Sequence, residues 1–119
     1  GFNDNVGFRF GTCYPWSLYD LKDEKELPIT EIPLIIQEAA MIHRAKGMRL
    51  DEDTAFQYIE QITEAVESVG GILTLLWHPI GIMETAWWDL YSRTLKYLKG
   101  KNVCFGVVRE VANLQMRVF

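Results

Sequence analysis

Two residues of this chain stand where proton chemistry could be done. His78 closes the run Gly70-Gly71-Ile72-Leu73-Thr74-Leu75-Leu76-Trp77-His78-Pro79, and Arg9 sits inside Gly7-Phe8-Arg9-Phe10-Gly11. An imidazole gains and loses its proton near neutral pH, so His78 can act as a general acid or base, and Pro79 restricts the backbone that carries it. Arg9 must find an anion or water, either as support for a reacting carboxylate or as an ion-pair partner for an acid such as Asp20 or Glu31. Trp16 and Trp77 adjoin these two residues and offer flat apolar faces with a polar edge, suited to stacking on a ligand. Trp87 instead lies on a helical stripe and reads as core, and His43 reads as an ordinary helix histidine. Cys13 with His78 would be a nucleophile and base, a weaker reading because nothing places the thiol at a helix N-terminus, where its pKa would fall. A catalytic zinc takes three protein ligands, and His43 and His78 give no such cluster by spacing.

The elements that must position these residues alternate in type. The apolar run at 72–77 is too short for a buried helix and lacks alternation, so it is expected to be a strand covered on both faces, with His78 at its carboxyl end, where ligands collect in parallel sheets. Residues 7–11 are expected to form an aromatic strand, 29–32 a second strand between Pro28 and Pro33, and 103–107 a fourth. The charge run at 20–26 reads as a solvated loop. A helical pattern covers 34–46 and stops at Gly47. Asp51 is placed to cap the next helix, whose stripe is Ala55, Tyr58, Ile59, Ile62, Ala65, Val66 and Val69. A third helix carries Met83, Trp87, Leu90, Tyr91, Thr94, Leu95 and Leu98 on one face, and 109–119 is weakly helical. The order implies an α/β fold of parallel strands alternating with helices, joined by right-handed crossovers.

With 119 residues, 49% of them hydrophobic, the chain can build one domain around one core. A net charge of -4 and scattered lysines and arginines leave no basic footprint for nucleic acid. No apolar run approaches the roughly 18 residues of a membrane span. Cys13 and Cys104 are too few for a disulfide scaffold and read as free thiols. The chain begins Gly1-Phe2 with no initiator methionine, as expected of the cut end of a longer protein.

The motifs at 7–16 (Gly-Phe-Arg-Phe-Gly-Thr-Cys-Tyr-Pro-Trp) and 73–78 (Leu-Thr-Leu-Leu-Trp-His), with Glu-Ile-Pro-Leu at 31–34 between them, resemble the C-terminal half of the NodB-type polysaccharide deacetylases. The resemblance implies the C-terminal part of a distorted (β/α)7 barrel and the metal-dependent hydrolysis of acetyl groups, N- or O-linked, on an acetylated polysaccharide or oligosaccharide. It implies His78 as general acid, Arg9 as the residue orienting an aspartate base, and Tyr14, Trp16 and Trp77 along the substrate pocket. The family's Asp-Asp pair and His-x-x-x-His segment are absent from these residues, so a divalent, zinc-like metal is expected only in the complete enzyme, and the chain alone is expected to be inactive. The family's Asp-x-x-Asp-Trp is also absent, with Glu31 as the nearest substitute. An arc of a barrel leaves strand edges free, which implies pairing between copies. The competing reading is a degenerate module that binds carbohydrate or protein through the aromatic groups beside His78.

Overall fold

A computed structural model describes residues 1–43, 45–79 and 85–118, with 115–118 as backbone only. Trp16–Asp20 (β1) and Lys25–Glu31 (β2) form an antiparallel hairpin. Ile36–Gln37 (β3) pairs in parallel with Leu75–Leu76 (β4). Between those two lie the short helix Glu38–Ile42 (α1) and the long helix Glu52–Val69 (α2). Thr85–Lys99 (α3) and Val108–Val118 (α4) follow.

The α/β class and the parallel crossover are therefore present, but on a smaller scale than the sequence suggests, and the chain is not part of a (β/α)7 barrel. The described strands make two separate two-stranded sheets, one of them antiparallel. The hairpin is the reason. Asp20 Oδ1 accepts the backbone N–H of Lys22 at 2.8 Å and of Asp23 at 3.2 Å, so the charge run closes a tight turn instead of trailing as a loop. That turn folds 25–31 back on 16–20 and takes the residues counted as a barrel strand at 29–32. Pro28, which cannot donate to a ladder, falls where the register breaks between Ser17↔Thr30 and Tyr19↔Glu26, the irregularity that tolerates it. Residues 7–11 form turns and 103–107 an exposed irregular stretch, so neither expected strand exists. The ring that motivated edge-to-edge association between copies is not formed.

The core lies where α1, α2, α3 and the β3–β4 pair meet, with Ile35, Ile36, Met41, Ile59 and Leu90 fully buried. In α2 the buried face is Ala55, Phe56, Ile59, Ile62, Thr63 and Val66, while Tyr58 and Val69 from the expected stripe reach solvent. Gly70, at φ 66, ends the helix in the left-handed region. Its N–H donates to the Glu67 carbonyl and that of Gly71 to Val66, a Schellman closure that turns the chain toward β4. Thr74, the one polar residue of the apolar run, joins the parallel strands. Its hydroxyl donates to the Pro33 carbonyl at 2.6 Å and accepts the Ile35 N–H at 2.7 Å.

The start of α2 carries a pH dependence. Asp51 Oδ1 accepts the Thr54 N–H at 2.8 Å, and hydrogen bonding to Thr54 holds the carboxyl below its ordinary value. A lowered folded value means that stability is gained above the unfolded carboxylate range, near about pH 3.9, and lost as pH falls through the folded value. Asp51→Ala should therefore lower the melting temperature at neutral pH, and the gap to wild type should close in acid. Thermal melts followed by circular dichroism across that window check it.

Candidate active site

The parallel pairing of β3 with β4 brings two chain exits together. Glu38 follows β3 directly as the first residue of α1, and His78 stands two residues beyond β4, so both side chains issue from the carboxyl ends of the same strand pair. Glu38 is completely buried. Its Oε1 accepts the backbone N–H of His78 at 2.8 Å and lies 2.6 Å from Nδ1 of the same residue. With Glu38 as a carboxylate, that contact fixes Nδ1 as the protonated ring nitrogen and leaves Nε2 to exchange a proton with a ligand. The His78 side chain is 45% exposed, so the imidazole is held on its protein side and open to solvent on the other.

Burying a carboxylate is costly unless it is hydrogen-bonded, and Glu38 is bonded through one oxygen only. Its Oε2 is buried without a hydrogen-bond partner among the described residues.

Trp77 packs against the core and against Tyr91 of α3, ring centroids 5.4 Å apart, and Tyr91 in turn meets Trp88 at 5.9 Å. Trp87 is half-buried on the same helix. Arg9 lies elsewhere. It lines an open concavity of about 550 Å³ with Phe2, Asn3, Asp4 and Lys46, and its guanidinium lies 5.5 Å from the Phe10 ring centroid. Phe10 contacts Trp16 at 5.5 Å, so Arg9, Phe10 and Trp16 form one cluster at the root of the hairpin. Arg9 forms no ion pair with Asp20 or Glu31 among the described residues. Tyr14 donates its hydroxyl to the Val69 carbonyl, and Cys13 accepts the Ile72 N–H at 2.9 Å. These contacts anchor the 12–16 turn at the entrance of β4, whereas His78 stands at its exit. Of the residues singled out by sequence, the structure therefore groups Arg9 with Trp16 through Phe10, while the Trp77 ring packs toward Tyr91 and His78 pairs with Glu38.

The cysteine reading finds no support in this arrangement. Cys13 is buried, burial pushes its thiol pKa up, and it flanks the opposite end of β4 from His78. His43 ends α1, where Nδ1 accepts the N–H groups of Ala45 and Lys46 at 3.2 and 3.3 Å, a helix-terminus role.

Glu38 is the residue that sequence reasoning missed. It lies within the helical pattern expected at 34–46, and Glu31, the nearest substitute for the family's acidic motif, pairs with Trp16 in the hairpin. The available signal was a lone carboxylate inside Leu34-Ile35-Ile36-Gln37-Glu38-Ala39-Ala40-Met41-Ile42, where an ionisable group is rarely buried without a partner.

Among the described residues no group of three histidine, cysteine, aspartate or glutamate side chains could hold a metal ion. Glu38 and His78 supply two such side chains, fewer than the three protein ligands a catalytic zinc takes. No described helix is long and apolar enough to cross a membrane. The chain matches no family model, no curated protein and no solved structure.

Proposed function

We propose that this chain supplies the proton-donating part of a deacetylase acting on acetylated sugar polymers. The observation that carries the reading is the Glu38–His78 dyad: a half-exposed imidazole held through Nδ1 by a buried carboxylate, at the carboxyl ends of a parallel strand pair. In acetyl transfer to water the leaving amine or alkoxide must collect a proton as its bond to the acyl carbon breaks. A protonated His78 gives that proton from Nε2, while Glu38 keeps the ring oriented and compensates its charge. The residue that deprotonates water and the ligands of a divalent ion would have to come from outside the described residues, and nothing in the dyad's step requires them to be nearby in sequence.

The test is acetate release by the full-length protein from N-acetylated and O-acetylated sugar oligomers. Release at a rate that falls when His78 is replaced supports the reading. Oligomer binding without acetate release would leave a carbohydrate-binding module, and release unaffected by His78 would overturn the role of the dyad.

A further inference from the structure

The concavity that holds Arg9 has neither member of the dyad in its lining and lies between two anchored turns. On one side, the Phe2 N–H donates to the Asn5 carbonyl at 2.7 Å, the Val6 N–H to Asn5 Oδ1 at 2.8 Å and the Gly7 N–H to the Ile35 carbonyl at 3.0 Å. Buried Val6 therefore ties this turn to the core. On the other side, the Lys46 N–H donates to His43 Nδ1 at 3.3 Å, and the N–H groups of Gly47 and Met48 close back on the His43 and Ala40 carbonyls. The space is about 550 Å³, within the roughly 300–1,000 Å³ of small-molecule sites. Two cations, Arg9 and Lys46, face it with one carboxylate, Asp4, one amide, Asn3, and the Phe2 ring, which is 44% exposed. The side chains of Asn3, Asp4, Arg9 and Lys46 form no hydrogen bond or ion pair among the described residues, and the Arg9 guanidinium is backed by the Phe10 ring. Their capacity to pair is thus open to a ligand.

We propose that this concavity binds a small zwitterion, an α-amino acid with an apolar side chain. The ligand class follows from the lining and draws on neither the dyad nor the family resemblance. A guanidinium offers two parallel N–H donors to a carboxylate, and the Lys46 ammonium adds a second positive charge for the same group. The Asp4 carboxylate accepts from an ammonium group, and the Asn3 amide can donate or accept beside it. Phe2 supplies the apolar wall against which a hydrocarbon side chain leaves water. A simple anion would leave Asp4 facing like charge, and a simple amine would leave Arg9 and Lys46 facing like charge. A ligand carrying both signs meets all three groups.

The experiment is titration of the full-length protein with free L-phenylalanine, followed by backbone amide NMR. Phenylacetate, which lacks the ammonium group, and phenethylamine, which lacks the carboxylate, are the matched probes. L-phenylalanine should shift the amides of residues 2–4, 9 and 46 in a saturable way and bind about tenfold more tightly than either probe. Arg9→Gln should weaken L-phenylalanine and phenylacetate alike, by about tenfold. Asp4→Asn should weaken L-phenylalanine by a similar factor and leave phenylacetate bound no more weakly than before. Both positions are exposed, so the variants should retain the wild-type melting profile. Absence of a saturable L-phenylalanine shift at these residues overturns the site. Phenylacetate binding as tightly as L-phenylalanine, with Asp4→Asn silent, overturns the zwitterion.

Discussion

Under the proposed deacetylase function, replacing His78 by glutamine should lower kcat by about 10²–10⁴-fold, the contribution typical of a positioned proton donor. Glutamine is the informative choice because its amide can still hydrogen-bond but cannot deliver a proton at neutral pH. The substitution also leaves the fold testable. Glu38 Oε1 accepts the backbone N–H of residue 78 as well as the ring nitrogen, and no side-chain change removes that bond. The buried carboxylate therefore keeps one partner, and circular dichroism should show a folded protein. Glu38→Gln is the companion variant. It should lower kcat by a smaller factor with KM held, because an amide cannot offset the charge of a protonated imidazole. Equal loss in KM, with kcat preserved in both variants, would mean that the pair binds substrate without moving a proton.

The second large effect falls on stability. Ile59→Ala should cost about 2–5 kcal/mol, against about 0.5–1.5 kcal/mol for Ile59→Val, because the full truncation leaves a cavity that the surroundings cannot close. Ile59 is completely buried on the inner face of α2, within the single cluster that also holds Ile35, Ile36, Met41 and Leu90. A domain's net stability is about 5–15 kcal/mol, so the alanine variant approaches the margin for folding. Urea denaturation of both variants, with the slope unchanged and the midpoint displaced, is the measurement. A loss below 1 kcal/mol for Ile59→Ala would show that α2 packs less tightly than its burial indicates.

Helices were the legible part of this sequence. The Asp51 cap, the Gly70-Gly71 stop and the spacing of Ile59, Ile62 and Val66 located α2 to within a residue at each end, because capping and periodicity are local signals. Strands were read less well. The run at 72–77 contributes only Leu75–Leu76 to a ladder, since a strand is defined by a partner that sequence does not name. The hairpin is hard to read because its turn, Leu21 to Glu24, lacks the Asn-Gly or Asp-Gly signal, and the Asp20 side chain does the turning. His78 stands out in the sequence by its place at a strand end. Glu38 does not, because the two are 40 positions apart in the chain and only the parallel pairing makes them neighbours.

Thr74 carries a consequence for how the molecule yields to heat. The parallel ladder that aligns Glu38 with His78 is two residues long, and one hydroxyl, bonded to Pro33 and Ile35, pins its entrance. The α2 and α3 scaffold is held by broad side-chain packing, whereas the dyad's alignment hangs on a few directional bonds at a short seam. Local opening draws first on the segments with the fewest such ties. The imidazole and its carboxylate should part company at temperatures where the helical signal is still intact, so the His78 ring signals in NMR should shift before circular dichroism records melting.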